Sequence, residues 1–583
     1  MMTNSMLSHI NSNKLNMSRL ENQYSTGKKI LKPSDDPIIA VRALKLRSNL
    51  AELDQYVEKN IPDAESWMEV TESAMDNVNA IIKKMNTYCV QGATDTLTAE
   101  NRTSILENLN KLAGQIYQEG NSQYAGRYVF TGFKTDTPLI YTSAQKYNVE
   151  NSTTTKTVTT VTPETNCNII NLDEINEKIN KLDSVTVNGT TLNDIITVSS
   201  AEFNKDDFTP DVDKVYYIRD TNQVAIGTNT SVAVGDDVTI KGDEFIGYHI
   251  TESLTGKDIE MYKTVVTPEN ASEAPRMVQA KRLQLAYNDL YTQTTKDVAG
   301  DSVTTSALTS ISYTVNAITS TINGVKTKFS TEEGAYEPGD NEVYFIADTG
   351  ELILGKNVAE KMNDATDITV NYEKNSFKES DLRPEHFFTC TFTDEYGKQT
   401  KYTQQKQDIT YEVNFNQQLK VNTEAKDAIT HDTARMMNDI TTAVNNVIDI
   451  ETQIARKKDE LTNINLTDAQ KKAIEDKIEQ LNTSLALNKS VLQETFSKAI
   501  TQTNKIQDTV NVAVADLGAR ANRLKLTKSR LEDQQVELED LKSTNEDADL
   551  VETIIRYKSA ESIYNGSLSA TASVIKTSLL NFL

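Results

Sequence analysis

Apolar positions recur three and four apart at both ends of this chain, the spacing of a coiled-coil seam. On the N-terminal side the seam runs through Ala64, Trp67, Thr71, Ala74, Val78, Ile81, Met85 and Tyr88. Near the other end it runs through Ile506, Val510, Ala513, Leu517, Arg520, Leu524, Thr527, Leu531, Gln534, Leu538 and Leu541. Seams so far apart in the chain are satisfied by each other or by copies of the same chain. A first helix carries Met6, Ile10, Met17, Leu20 and Tyr24, with Asn13 in its one polar slot, and stops at Ser25-Thr26-Gly27. Ser34 before Asp35, Asp36 and Pro37 predicts an N-cap and a second helix from about residue 35 to about Tyr88, with a break at Pro62. Ile105, Leu109, Leu112 and Ile116 mark a third, over about 100–120.

From about residue 141 the period changes. Thr- and Val-rich runs such as Thr153 to Val161, and the turn signals Asn188-Gly189 and Asn323-Gly324, predict strands and hairpins. The segment from Pro210 through Val215-Tyr216-Tyr217-Ile218, Asp220-Thr221 and Ile226-Gly227 recurs as Pro338, Val343-Tyr344-Phe345-Ile346, Asp348-Thr349 and Leu354-Gly355. Two related β-rich subdomains follow from this repeat, at about 205–227 and 333–355, joined by a helical stretch near Arg276 to Tyr291. Beyond Pro384 there is no proline, and from His431 a helical pattern returns: about 431–463, then a turn at Asn463-Ile464-Asn465-Leu466 with Thr467 as cap, about 468–542, and about 546–583. The expected fold is α+β, a long antiparallel coiled-coil rod from both termini with a β-rich middle lobe. Its divisions are 1–140, 141–430 and 431–583.

Charge follows the same division. Residues 1–140 hold 15 Lys or Arg against 16 Asp or Glu, residues 431–583 hold 19 against 23, and the middle carries 26 against 45, or −19 of the total −24. Near-neutral ends pack closely, whereas an acidic middle favours water and resists association. Nucleic acid is a poor partner for a chain without a basic stripe. Met1 to Asn16 is polar and lacks the apolar stretch of a secretory signal, and no apolar run is long enough for membrane insertion.

Candidate chemistry is thin. Gly350-Glu-Leu-Ile-Leu-Gly355-Lys356-Asn357 has most of a phosphate-binding GxxxxGK loop. Asn357 stands where Ser or Thr is required, the interior is apolar, and the segment repeats one that lacks the lysine, so it reads as a strand. His9, His249, His386 and His431 form no HExxH pair, and Cys89, Cys167 and Cys390 no CxxC pair. No catalytic, metal or cofactor residues are assigned. Trp67 and Cys89 read as core.

Three stretches then carry a resemblance. They are Ser25-Thr26-Gly27-Lys28-Lys29-Ile30 through Pro33-Ser34-Asp35-Asp36-Pro37; Ala515-Asp516-Leu517-Gly518-Ala519-Arg520 with Asn522-Arg523-Leu524 and Arg530-Leu531-Glu532-Asp533-Gln534; and Glu546-Asp547-Ala548-Asp549-Leu550 to Ser578-Leu579-Leu580-Asn581-Phe582-Leu583. They resemble the bacterial flagellin superfamily. Tyr124-Ala125-Gly126-Arg127-Tyr128-Val129-Phe130-Thr131-Gly132-Phe133-Lys134-Thr135-Asp136-Thr137-Pro138 is similar to the exit from the rod in its hook-associated, hook-filament junction branch.

The resemblance implies a non-enzymatic structural part of the bacterial flagellum. It implies type III export without a cleaved signal peptide, an extracellular place at the hook-filament junction, and self-assembly through the terminal helices. Partners implied are other copies of the chain, hook-associated protein 1 on the hook side, flagellin on the filament side, and an export chaperone at the C-terminal helices. The expected assembly interface is Met6, Ile10, Met17, Leu20, Tyr24, Leu550, Ile554, Tyr557, Tyr564, Leu568, Ile575 and Leu579. A filament flagellin, or a flagellin-like chain whose lobe is an adhesin or enzyme, are the alternatives. Two features depart from the family: the enlarged, repeated middle, and a helical hairpin inserted near 452–492.

Overall fold

The computed structural model describes residues 2–94, 97–147, 150–172, 179–198, 200–203, 208–218, 221–296, 302–395, 398–462 and 466–580. They form two compact units: residues 1–69, 409–421 and 517–583, and residues 70–408 and 422–516. The long helices are α1 (Met2–Thr26), α2 (Pro37–Gln55), α3 (Ile61–Gly92), α4 (Ala99–Glu119), α5 (Asp432–Leu461), α6 (Asp468–Glu546) and α7 (Leu550–Leu580). Thr98 caps α4 through the amide of Asn101, and Thr467 and Gln470 bracket the start of α6. The turn read at 463–466 falls mostly outside the described residues.

Two helix boundaries differ from the sequence reading. Asp36, not Ser34, caps α2: its carboxylate accepts the amides of Ile38 and Ile39, while Asp35 turns back to the amides of Leu31 and Lys32. The break sits just ahead of Pro62, as one π-helical turn over Tyr56–Asn60. Proline has no N–H for an i−4 bond, and the amide of Ile61 reaches back five residues to the Tyr56 carbonyl instead.

The strands repeat more completely than the sequence does. A first module holds β1 (Glu150–Thr157), β2 (Thr162–Glu164), β3 (Cys167–Asn171), β4 (Ile179–Val187), β5 (Thr190–Leu192), β6 (Ile195–Val198), β7 (Val215–Ile218), β8 (Gln223–Gly227) and β9 (Asp237–Glu244). A second holds β10 (Gly247–Leu254), β11 (Glu260–Val266), β12 (Arg276–Gln284), β13 (Ser310–Val315), β14 (Ile318–Asn323), β15 (Lys326–Lys328), β16 (Val343–Ile346), β17 (Glu351–Leu354) and β18 (Asp367–Lys374). In the first module the sheets run β2-β3-β8-β7-β6 and β1-β9-β4-β5; in the second they run β11-β12-β17-β16-β15 and β10-β18-β13-β14. Every pair is antiparallel except β7 with β6 and, at the same place, β16 with β15.

Each module buries the inner faces of its two sheets. Val215, Tyr217, Val224 and Ile226 fill the first core where Val343, Phe345, Leu352 and Leu354 fill the second. The alternate residues Ile218 and Ala225, like Ile346 and Ile353, belong to a smaller cluster on the other face, as a period of two requires. The second module adds two strands, β19 (Thr389–Thr393) and β20 (Gln399–Tyr402), beside β10.

Three sequence expectations change here. Arg276 to Tyr291 contains no helix: β12 occupies Arg276–Gln284, with Val278, Ala280 and Arg282 buried on alternate positions. Asn188-Gly189 makes the β4–β5 turn with positive φ at both residues, but the counterpart turn is Asn316-Ala317, and Asn323-Gly324 leads from β14 into β15. Gly350 to Gly355 encloses β17, so the backbone amides of a phosphate loop are committed to a sheet.

Within the second unit the second module is seated on helices. Arg282 of β12, 1% exposed, pairs with Glu260 and Glu351 on neighbouring strands and takes both carboxylate oxygens of Asp439 on α5 at 2.7 Å. Arg435 on the same helix reaches Glu252 of β10 at 2.6 Å. The end of α5 and the start of α6 cluster through Ile450, Ile454 and Leu481. From there Gln480 donates to the Asn270 and Glu273 carbonyls at 2.8 Å, Lys263 pairs with Glu494 at 2.7 Å, and Lys498 donates to the Met261 carbonyl at 2.7 Å. The helical hairpin near 452–492 thus holds the loop between β11 and β12.

Candidate assembly surface

The first unit is made from both ends of the chain. α1 and α7 pack antiparallel: Asn13, the polar slot of α1, donates to the Ser567 hydroxyl at 3.1 Å, and further along the Ala548 amide donates to the Gly27 carbonyl at 2.8 Å. On α1 the inward positions are Met6, Ile10, Asn13, Met17 and Leu20, of which Leu20 is 5% exposed. On α7 they are Thr553, Tyr557, Ala560, Tyr564, Ser567 and Thr571, again three and four apart.

α2 runs antiparallel to the end of α6. Arg47 grips Glu546 with two bonds, 2.7 and 2.6 Å, Gln535 donates to Asp54 at 2.7 Å, and Asn545 donates to the Ile39 carbonyl at 3.2 Å. Lys28 pairs with Asp547, and the Lys29 amide donates to the Glu546 carbonyl at 2.7 Å. Two of the three recognisable stretches therefore meet, the 25–37 loop on the 546–550 junction. The bidentate arginine lowers the Glu546 pKa, and Lys28 lowers that of Asp547.

A hairpin that sequence reasoning left in the middle region also packs here. Strands β21 (Thr410–Asn414) and β22 (Gln417–Lys420) lie against the π-helical turn, where Asn60 donates to the Glu412 carbonyl at 2.8 Å and Tyr411 donates to Asp63. The signal available was Phe415-Asn416, a turn with Asn at positive φ between two short β-prone runs.

The expected interface residues divide into two sets. Met6, Ile10, Met17, Leu20, Tyr557 and Tyr564 lie inward or half-buried in the α1–α7 pair, whereas Tyr24, Leu550, Ile554 and Leu568 face solvent. The side chains of Ile575 and Leu579 lie outside the described residues. Sequence reasoning missed other exposed aliphatics: Leu7 and Leu15 on α1, Ile38, Val41 and Leu44 on α2, and Val551, Ile555 and Ile563 on α7. Ile38 is 75% and Val551 70% exposed, on helices whose opposite faces are already filled. Aliphatic side chains are thus exposed along α1, α2 and α7.

The second unit places the 124–138 stretch at the foot of the second module. Ala125 and Gly126 turn with positive φ, the Phe133 amide donates to the Gln407 side chain at 2.8 Å, and Lys134 donates to the Glu385 carbonyl at 3.2 Å while lying over the Tyr402 ring. The His386 ring contacts the Pro138 carbonyl at 3.2 Å, and burial lowers its pKa to about 4. Burial raises Cys89 and Cys390 to about 12, which holds both as neutral thiols. Among the described residues no group of three His, Cys, Asp or Glu is placed to hold a metal ion, and no helix is long and apolar enough to cross a membrane.

Comparison with known proteins finds family matches at both ends of the chain. Residues 1–135 match the bacterial flagellin N-terminal helical region, and residues 497–583 match the bacterial flagellin C-terminal helical region. The flagellar hook-associated protein 3 of Escherichia coli strain K12 is 32% identical over 126 residues, 21% of this chain and 39% of that protein. A flagellin of Clostridium tyrobutyricum is 29% identical over 122 residues, 21% of this chain and 32% of its own. The crystal structure of the flagellar junction protein from Legionella pneumophila aligns over 88% of this chain and 100% of its own at 11% identity, with a TM-score of 0.26. The chain spans less than half the length of the two sequence relatives. The chain thus carries a bacterial flagellin N-terminal helical region at one end and a bacterial flagellin C-terminal helical region at the other.

Proposed function

We propose that this chain is a structural subunit of the bacterial flagellum, an adaptor at the hook-filament junction that self-assembles through α1 and α7. One observation carries the reading: the two chain ends build a single helical unit whose inner seam is closed and whose outer face still presents aliphatic side chains, among them Val551, Ile554 and Leu568. Such a face gains stability only when a second surface covers it. Its partners in this reading are further copies of the chain, hook-associated protein 1 towards the hook and flagellin towards the filament. An export chaperone shields the C-terminal helices before assembly, and the subunit leaves the cell by type III export to an extracellular site.

Immunogold labelling of intact flagella tests the place. A single band at the hook-filament boundary is expected; label along the whole filament favours the second reading, a filament flagellin, which the similarity to the Clostridium tyrobutyricum flagellin supports. Deleting the gene separates the readings again. Loss of the adaptor leaves hooks without filaments while filament subunits escape into the medium.

A further inference from the structure

The two β-modules differ at one sheet edge. In the second, β10 is an inner strand, paired with β18 on one side and with β19 on the other over Gly247↔Thr393 to Thr251↔Thr389. Its counterpart β1 pairs with β9 along all eight residues without a register shift, and among the described residues it is the outer strand of its sheet. A regular strand with one paired side offers a row of N–H and C=O groups to an antiparallel partner. The second module shows that a strand in this position accepts one from this very chain.

We propose that β1 is a docking edge for a second copy of this chain, pairing antiparallel with the other copy's β1. Thr153, Thr155 and Thr157 are exposed and share one face of the strand. An antiparallel pair centred on Thr155 sets Thr155 opposite itself and Thr153 opposite Thr157. Both modules already use this cross-strand chemistry: Thr155 with Thr239 at 2.8 Å, Thr186 with Thr191 at 2.9 Å, Ser312 with Thr321 at 3.2 Å and Thr314 with Thr319 at 3.0 Å. A hydroxyl both donates and accepts, so identical residues complement each other, which like charges do not. In a middle region of net charge −19, three uncharged threonines at the contact add no like-charge repulsion of their own.

Cysteine cross-linking of the full chain tests the pairing, because Cys89, Cys167 and Cys390 are buried and leave an introduced thiol to report alone. Under mild oxidation at micromolar concentration, Thr155→Cys is expected to form a disulfide-linked dimer about tenfold faster than Thr239→Cys, which lies on the same face but on the inner strand β9. The variant Thr153→Lys, Thr157→Lys carrying Thr155→Cys should link no faster than Thr239→Cys while keeping the wild-type circular dichroism and melting temperature. Equal linking rates for Thr155→Cys and Thr239→Cys in chains that melt like the wild type overturn the proposal.

Discussion

Gly227 and Gly355 show how single residues hold the repeated modules together. A Cβ at Gly227 would stand 2.3 Å from the Val212 carbonyl oxygen, and one at Gly355 would stand 2.1 Å from that of Gly339. Backbone does not yield as a side chain does, so Gly355→Ala is expected to destabilise the second unit by roughly 1–3 kcal/mol, read as a lower melting temperature. Two histidines, the half-buried His386 and the buried His431, act in the same unit. Burial holds His386 at about 4 and drives His431 well below its ordinary value. The folded state therefore binds these protons more weakly than the unfolded chain does. The stability this confers is complete above the ordinary value of 6.5 and is lost as pH falls towards 4, on the order of 3 kcal/mol for His386 alone. Thermal melts from pH 7 to pH 4 should fall in midpoint, and His386→Gln should flatten the slope. The GxxxxGK spacing at 350–356 was legible as a repeat of a strand, because its partner segment lacked the lysine. The cap at Asp36 was not, since Ser34, Asp35 and Asp36 are all capable residues and the path of the loop chooses among them.

At the scale of elements, Arg282 is where strand and helix meet. Three carboxylates, from Glu260, Glu351 and Asp439, surround one guanidinium stacked on Tyr262 at 4.1 Å. Arg282→Met would leave buried acids without a cation, and a loss of about 3–5 kcal/mol in unfolding free energy is expected, with hydrogen exchange rising first in β12 and α5. The same residue explains a misread element. Arg276 to Tyr291 holds Leu and Ala at spacings that suit a helix as well as a strand, and only the partners β11 and β17 select the strand. The helix seams were clearer, yet their register drifts. Ile82 and Cys89 are buried where the heptad predicts Ile81 and Tyr88, and Leu541 is exposed at the far end of the second seam. A straight helix turns every 3.6 residues, so a strict heptad walks off its face unless the pair supercoils.

For the whole molecule, the chain enters and leaves the first module beside the same strand end of the second. The Tyr147 amide donates to the Asn375 carbonyl at 2.8 Å, and Tyr248, just after the module, pairs with Lys374 next to it; the Tyr147 and Tyr248 rings are 6.3 Å apart. Joining Tyr147 to Gly247 should leave a chain whose second module melts cooperatively and whose first unit is unchanged, as measured by circular dichroism and limited proteolysis. Assembly belongs to the same scale. Leu568→Asp places a charge on the exposed face of α7, away from the inward positions Thr553, Ala560 and Thr571. The expected outcome is a variant that folds normally and is not incorporated into flagella; filaments of normal length on such cells would count against the assembly face.

The sequence by itself determined what depends on local repetition and on neighbours in the chain. That covers the helical ends and the β-rich middle, the 128-residue echo of Val215–Ile218 in Val343–Ile346, the charge held in the middle, and the motifs at 25–37, 515–534 and 546–583. Period, capping and composition act over a few residues, so they can be read in order. Tertiary structure decided which surfaces are closed and which stay open. Thr553 and Ile554 are neighbours on one helix, yet Thr553 is buried and Ile554 exposed, because α1 covers one side of α7. The full nine-strand repeat was hidden for the same reason. Outside β7 and β8 the two modules keep their strand order and cores while their loops and residues differ, and pairing across a sheet depends on partners that no local window contains.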